Sequence, residues 1–308
     1  MSLHISTAIQ ENHALNRRLN KNIYFKMECY QPTGSFKMRG IGALCEQAIQ
    51  VGKTHLVSSS GGNAGYAAAY AGRKLGTPVT VVVPHTTSPT AIERMQEQEA
   101  KVIVHGEVWN DADSYARDLV AQHDNYAYIH PFDNPRIWTG HSSIIEEAVQ
   151  QMPKSDAVVV AVGGGGLMAG ILQGMHACGW QDVPLIAVET DGAGSFYASY
   201  QAKELVRIDK ITSIAKTLGA LQVTSKLMDW VNNHPITPVL VSDKSAVDAC
   251  LAFADDFRVL TEPACGAALS LAYGNSSYLE NYNNILMIVC GGAGAKFQQL
   301  LKWQEELS

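Results

Sequence analysis

The sequence predicts an α/β protein with two domains, each built on a parallel sheet. Strands and helices alternate along most of the chain, a pattern typical of parallel sheets with helices on both faces. The length of 308 residues is large for one compact core and favours two domains. Residues 130–135 interrupt the alternation with two prolines, so we predict that the chain crosses between the domains there.

The first series of elements begins with a predicted helix over residues 5–19 and a strand over 23–28. Ser35 is the predicted N-cap of the next helix, which runs to Gly52. The alternation that follows predicts strands over 55–58, 79–83, 101–105 and 126–129, with helices over 63–75, 89–98 and 111–122 between them.

A second series follows the prolines and has the same character. It predicts strands over 157–162, 185–190, 239–242 and 285–289, and helices ending at 151, over 167–178, 196–205, 226–234 and 245–256, after 263, and over 295–306. Two such lobes facing each other would leave a cleft, and parallel sheets usually bind ligands where their strands end.

Composition and cysteine spacing argue against several classes of protein. The net charge of -6 disfavours a nucleic-acid or anionic-membrane partner. The first residues lack a signal peptide, and the apolar run over 157–172 is shorter than the roughly 20 residues of a membrane span. The six cysteines form no C-x-x-C pair, so neither a disulfide framework nor a zinc site is expected. Reduced thiols favour the cytoplasm.

Two loops each follow a predicted strand and open a helix, where backbone N–H groups can converge on an anion. The first, over 58–65, carries three serines before two glycines; its plain alternative is a tight turn capped by Asn63. The second comprises Gly163, Gly164, Gly165, Gly166 and Leu167, whose bare backbone can approach a phosphate closely.

The second loop has a serious rival interpretation. Gly164, Gly166 and Ala169 satisfy the dinucleotide-binding pattern, and Glu189 ends the next strand where a ribose-binding acid would lie. Taken alone, the loop is compatible with a nicotinamide-dependent oxidoreductase, with another phosphate site or with a structural turn.

Lys37 favours a different cofactor. It lies in the first turn of a predicted helix, where the macrodipole disfavours a cation and favours the neutral, nucleophilic amine. Such an amine forms a Schiff base with an aldehyde. A lysine of this kind, with one loop for a phosphate and one for a carboxylate, fits a pyridoxal phosphate site better than a nicotinamide site.

Residues 31–40, around Lys37, resemble the cofactor-lysine motif of the serine/threonine dehydratase family of pyridoxal phosphate enzymes, which has the tryptophan-synthase-β-like fold. The loops at 58–65 and 163–167 are similar to that family's substrate and phosphate loops. The segments at 189–193, 262–268 and 290–292 match further motifs, and Cys290 is placed as in the mammalian-type catabolic serine dehydratases. The resemblance implies fold type II, two α/β domains with a cofactor cleft between them: 1–30 with 134–308 as the large cofactor-binding domain, and 31–133 as the small domain carrying the substrate loop.

The resemblance also implies roles for individual residues. Lys37 would carry the internal aldimine, Phe36 would stack on the pyridine ring, Asn63 would bind its 3'-oxygen and Cys290 would face its nitrogen. The amides of Gly163, Gly164, Gly165, Gly166 and Leu167 would bind the phosphate. The substrate carboxylate would be held by Ser60, Gly61, Asn63 and Ala64, and a monovalent cation such as potassium by Glu189, Ala193, Leu218 and Ala220.

The implied reaction is β-elimination of L-serine, and of L-threonine, to a 2-oxo acid and ammonia by a catabolic enzyme acting as a homodimer. Serine racemase or another β-lyase on the same scaffold is the alternative, and a nicotinamide oxidoreductase is the more distant one. Gly61 stands where close relatives carry Ala or Gly. The extra room predicts weaker positioning of serine and lower turnover than in a relative with Ala.

Overall fold

The computed structural model describes residues 3–274 and 277–308. Its strands are β1 (Ile9–Gln10), β2 (Asn22–Lys26), β3 (His55–Ser58), β4 (Val79–Val83), β5 (Lys101–Val104), β6 (Tyr126–Ile129), β7 (Ala157–Ala161), β8 (Leu185–Thr190), β9 (Ile236–Val241) and β10 (Asn284–Ile288). Its α-helices are α1 (His13–Leu19), α2 (Lys37–Gln50), α3 (Asn63–Leu75), α4 (Pro89–Glu97), α5 (Trp109–Ala121), α6 (Pro135–Gln151), α7 (Gly166–Ala177), α8 (Ser195–Ala202), α9 (Lys226–Val231), α10 (Asp243–Phe257), α11 (Pro263–Tyr273) and α12 (Phe297–Glu306).

The chain divides into two compact units. The first comprises the residues up to Ile5 and Gln31–His141, and the second comprises Ser6–Tyr30 and Ser142–Ser308. Each unit has its own sheet, and the predicted α/β class with parallel sheets is confirmed.

The first unit holds a four-stranded sheet in the order β5-β4-β3-β6, in which every neighbouring pair is parallel. All five residues of β4 are buried, as expected for a strand covered on both faces. Helix α3 packs into the same core through buried alanines, whose small side chains allow a close approach.

The second unit holds a six-stranded sheet in the order β1-β2-β10-β7-β8-β9. Among the described strands of this sheet, only the edge pair β1–β2 is antiparallel, and the remaining pairs run parallel. Strands β7 and β8 are buried along their whole length. The loop that follows each of them is therefore anchored on a rigid strand.

Two local predictions are wrong. The helix predicted over 5–19 begins only at His13, because Ile9–Gln10 pairs with β2 and the Asn12 side chain accepts the Leu15 amide at 3.0 Å. Ser35 is not the N-cap of α2. The N-cap is Phe36, whose ring has no acceptor for a backbone amide.

Two further features concern the length of the helices and the state of the cysteines. No helix in the described part of the chain is both long and apolar enough to cross a membrane. All six cysteines are free thiols, four of them buried.

Candidate functional site

Lys37 is the first residue of α2. Its Nζ donates a hydrogen bond to the carbonyl oxygen of Pro131 at 2.6 Å and lies 5.1 Å from the centre of the Phe36 ring. The turn that presents this carbonyl is held by His130, whose Nδ1 accepts the amides of Phe132 at 3.2 Å and Asp133 at 2.7 Å. The amine is therefore held at a defined place in the first unit.

His141 packs against Phe36, the residue before Lys37, and was not identified from the sequence. Its ring centre lies 4.9 Å from that of Phe36, and a Cβ atom at Gly40 would lie 2.6 Å from the His141 ring. Burial lowers the pKa of His141 well below its ordinary value, with smaller contributions from Lys37 and Arg39. The neutral imidazole therefore supports the Phe36 ring by packing.

Three hydroxyl groups of the first unit are buried without a protein partner. Thr33 Oγ1 and Ser35 Oγ lie just before Lys37, and Ser58 Oγ ends β3; none has a hydrogen-bond partner in the part of the chain that the structure describes. Buried hydroxyls without partners are costly in a folded protein. An ordered water or a polar ligand would satisfy such hydroxyls.

The predicted substrate loop runs from the end of β3 into α3. Gly62 N donates to Ser60 Oγ at 3.3 Å, and Asn63 is the first residue of α3, with Ala64 following in the same turn. A Cβ atom at Gly65 would lie 1.8 Å from the Ser60 carbonyl oxygen, so only glycine permits this close approach of loop and helix. The loop is thus fixed against α3.

The glycine loop of the second unit lies between β7 and α7. Gly165 is the N-cap of α7 with φ 89°, a backbone conformation that favours glycine. Gly166 and Leu167 begin the helix, and Gly163 packs so closely against Leu218 that a Cβ atom there would lie 3.1 Å from the Leu218 Cα. A bare backbone at a helix N-terminus is the arrangement that binds a phosphate.

Cys290 follows β10 and is 5% exposed. The neighbouring Cys265 thiol and burial both raise the pKa of Cys290 well above its ordinary value, so the sulfur stays a neutral thiol. Glu262 lies close by, where it fills the space over Gly292 and accepts a 2.7 Å hydrogen bond from the Thr217 hydroxyl. This contact gives Thr217 a structural role that the sequence did not reveal.

The residues predicted to bind a cation lie in the second unit. Glu189 is the penultimate residue of β8, and its two carboxylate oxygens accept the amides of Phe196 at 2.9 Å and Tyr197 at 2.7 Å. Burial raises the pKa of Glu189 to about 8, although these amides act in the opposite direction. Ala193 and Leu218 lie in short 3-10 turns, and Ala220 donates its amide to Leu218 O at 2.7 Å.

The predicted site residues are therefore distributed over both units. The first unit carries Phe36, Lys37, Ser60, Gly61, Asn63 and Ala64, and the second carries Gly163, Gly164, Gly165, Gly166, Leu167, Glu189, Ala193, Leu218, Ala220 and Cys290. Among residues 3–274 and 277–308, no group of three or more His, Cys, Asp or Glu side chains could hold a metal ion.

Comparison with known proteins decides between the cofactors considered above. Residues 2–291 match the family described as pyridoxal-phosphate dependent enzyme. The chain belongs to this family. Gly164, Gly166 and Ala169 are accordingly better explained as part of a phosphate loop than as a dinucleotide motif.

Individual members of the family are similar over nearly the whole chain. An L-serine dehydratase of Dictyostelium discoideum is 44% identical over 317 residues, covering 97% of this chain and 91% of that protein. An L-serine dehydratase/L-threonine deaminase of Homo sapiens is 44% identical over 314 residues, covering 99% and 96%. The crystal structure of a fungal L-serine ammonia-lyase from Rhizomucor miehei has a TM-score of 0.94 at 37% identity and covers 100% of both chains.

The residues present fit pyridoxal phosphate. The cofactor would need a primary amine for its aldehyde, and in the first unit Lys37 at the start of α2 has one. It would need donors for its phosphate, and in the second unit the bare backbone before α7 has amides of that kind. The buried hydroxyls of Thr33 and Ser35 are further donors beside Lys37.

Proposed function

We propose that this chain removes ammonia from L-serine and L-threonine, giving the corresponding 2-oxo acids, with pyridoxal phosphate as cofactor. The observation that carries the proposal is the placement of Lys37, whose amine is held at the start of α2 by the Pro131 carbonyl. The relatives named as serine dehydratases, at 44% identity over nearly the full chain, support the substrate class.

In this proposal, the first unit provides the reacting amine and the substrate contacts. Lys37 would hold the cofactor through its aldehyde and, as a free amine, would move the proton of the substrate Cα. Ser60, Gly61, Asn63 and Ala64 bind the substrate carboxylate. Phe36 would hold the cofactor's pyridine ring by stacking, and Asn63 would also donate to its 3'-oxygen.

In this proposal, the second unit provides the groups that bind the cofactor's phosphate and face its ring nitrogen. The amides of Gly163, Gly164, Gly165, Gly166 and Leu167 would bind the phosphate, and Cys290 would face the ring nitrogen. A neutral thiol at Cys290 does not stabilise a protonated ring nitrogen as a carboxylate would. We infer that this favours loss of the β-hydroxyl over racemisation.

Bound pyridoxal phosphate supplies the electron sink for the pair released when the Cα–H bond breaks. The β-hydroxyl then leaves as water, and hydrolysis of the resulting enamine returns one water and releases ammonia. The net change converts L-serine into pyruvate and ammonia.

The test compares the wild type with Lys37→Ala. Wild-type protein loaded with pyridoxal phosphate should be yellow, lose this colour on borohydride reduction and form pyruvate from L-serine. The variant should lose covalent attachment and at least about a thousandfold of kcat/KM, because the amine that binds the aldehyde is removed. A matched control is Lys53→Ala, since Lys53 follows α2 in the same unit and donates to the carbonyl of Asp124 at 2.7 Å.

Three outcomes would contradict the proposal in different ways. Formation of D-serine in place of pyruvate would identify a racemase. A yellow protein without turnover of L-serine or L-threonine would identify another lyase of the same fold. A colourless protein that binds a nicotinamide dinucleotide would overturn the cofactor.

We also propose a monovalent cation, such as potassium, near Glu189, Ala193, Leu218 and Ala220, a cytoplasmic location and a homodimer. The buried free thiols support a reducing compartment. The cation predicts higher activity in potassium chloride than in a chloride salt of a bulky organic cation at equal ionic strength. Light scattering after gel filtration should give twice the mass of 33.3 kDa.

A further inference from the structure

A cluster of polar side chains lies directly beneath the substrate loop in the first unit. It comprises Ser59, Asp113, Arg117 and Tyr128, and is called the Asp113 cluster below. Ser59 Oγ donates to Asp113 Oδ1 at 2.7 Å and lies 2.9 Å from the Tyr128 hydroxyl. The Tyr128 hydroxyl also donates to Asp113 Oδ1, and Arg117 Nε donates to Asp113 Oδ2 at 2.8 Å.

The cluster is built around an ionised carboxylate. Burial opposes ionisation of Asp113, but the hydrogen bonds from Arg117, Tyr128 and Ser59 lower its pKa below the ordinary value. The Arg117 guanidinium also lies 4.3 Å from the centre of the Tyr128 ring. An ionised carboxylate is purely an acceptor, so it can receive the hydroxyl hydrogens of Ser59 and Tyr128 together.

Three different elements meet at Asp113. Asp113 and Arg117 lie on α5, Tyr128 lies in β6, and Ser59 is the first residue after β3. The Ser59 side chain is buried and precedes Ser60, the first predicted contact of the substrate carboxylate. The cluster therefore holds the loop from the sheet side, while the close approach of Ser60 to Gly65 holds it from the side of α3.

The Asp113 cluster also contacts His130, which shapes the turn that contains Pro131. The Tyr128 ring packs edge-on against His130, with 5.8 Å between ring centres. His130 in turn fixes the turn whose Pro131 carbonyl accepts Lys37 Nζ. An ordinary ion pair along α5 would need only Asp113 and Arg117. The contacts of Asp113 to Ser59 and Tyr128 exceed what such a pair requires.

We propose that Asp113 is a positioning residue for substrate binding: through Ser59 it fixes the loop that receives the substrate carboxylate. This role rests on the proposed function. It predicts that loss of the Asp113 carboxylate loosens residues 58–66 and weakens binding of the amino acid, while the phosphate loop in the second unit is unaffected.

The experiment compares wild type, Asp113→Ala, Ser59→Ala and the double variant, with Asp118→Asn as control. Asp118 is an exposed carboxylate on the same helix, so its variant also changes the charge of α5. Asp113→Ala should raise KM for L-serine about tenfold with a smaller change in kcat, because a misplaced loop weakens ground-state binding. Ser59→Ala should act similarly, and the double variant should add little to either single change.

A second measurement does not depend on activity. Hydrogen–deuterium exchange of the peptide covering residues 58–66 should be faster in Asp113→Ala than in wild type, whereas exchange of the peptide covering residues 163–167 should be unchanged. Asp118→Asn should leave both peptides at the wild-type rate.

The proposal is overturned if residues 58–66 exchange at the wild-type rate in Asp113→Ala, or if its effects on KM and those of Ser59→Ala are fully additive. Failure of the proposed function gives a different result. If the wild-type protein forms no pyruvate, the proposed reaction is wrong. The exchange measurement still decides whether Asp113 fixes the loop.

Discussion

At the scale of single residues, Gly61 shows how neighbouring atoms limit the size of the side chain at a position. A Cβ atom at Gly61 would lie 2.5 Å from Thr87 Oγ1 and 2.8 Å from Thr87 Cγ2. The sequence suggested only that glycine leaves room beside the substrate. In the folded chain, that room is already limited by Thr87, so alanine at this position requires Thr87 to move.

We therefore expect Gly61→Ala alone to lower the free energy of unfolding by about 1–3 kcal/mol through overpacking, and to raise KM for L-serine. Gly61→Ala combined with Thr87→Ala should relieve the overlap, since the nearest Thr87 atom left is Cβ, at 3.2 Å. Because alanine also restricts the loop backbone, the double variant should exceed wild type in kcat/KM.

The measurement is kcat and KM for L-serine in wild type, both single variants and the double variant. Thr87→Ala controls for loss of the threonine itself. If Gly61→Ala leaves both constants unchanged in either background, Gly61 does not limit how the substrate is positioned.

At the scale of elements, helix α7 carries a left-handed glycine at each end. Gly165 is its N-cap, with φ 89°, and a Cβ atom there would lie 2.6 Å from Leu227 Cδ1. Gly179 follows the C-cap with φ 76°, and a Cβ atom there would have no neighbour within 4 Å among the described residues, so that end is open. The two ends share the backbone requirement but differ in packing.

Substitution by alanine at either end should cost about 1–2 kcal/mol in backbone strain. Only Gly165→Ala should also displace the phosphate loop, and we expect its affinity for pyridoxal phosphate to fall at least about tenfold. Absorbance titration of the apoprotein measures this, with Gly179→Ala as the matched control. Equal losses of affinity in the two variants would mean that strain in α7, and not the loop, controls cofactor binding.

The elements also show where prediction from sequence succeeds. β3 and β8 were predicted with their observed bounds, because each is a short apolar run ended by polar or loop-forming residues. The helix over 5–19 was wrong since apolar spacing contains no information about strand pairing, which places Ile9–Gln10 beside β2. The Asn12 cap was a visible signal of the true helix start.

At the scale of the whole molecule, strand order decides which distant residues meet. Ser59 and Tyr128 are 69 positions apart, yet they touch because β6 lies beside β3 in the first unit. The alternating pattern predicted a parallel sheet but not this order. The motif residues of the candidate site could therefore be predicted from the sequence, whereas the Asp113 cluster could not.

Burial of histidine links the stability of the whole fold to pH. His234 is 6% exposed, and its Nδ1 lies 3.1 Å from His176 Nε2. Burial, and then the neighbouring His176, lower the pKa of His234 from 6.5 to about 4. The unfolded chain binds this proton below its ordinary pKa, while the folded chain does so only near the lowered value. Stability from His234 is thus present above pH 6.5 and lost as the pH falls towards about 4.

We expect the free energy of unfolding to fall by about 1–2 kcal/mol more in wild type than in His234→Gln between about pH 7 and about pH 5. Urea unfolding at both pH values measures the difference, and titrating groups that do not contact His234 cancel because both proteins contain them. His85→Gln controls for the histidine-to-glutamine change itself, because His85 is exposed. Parallel pH dependences in wild type and His234→Gln would show that the fold accommodates a protonated His234, and that its contact with His176 does not oppose the charge.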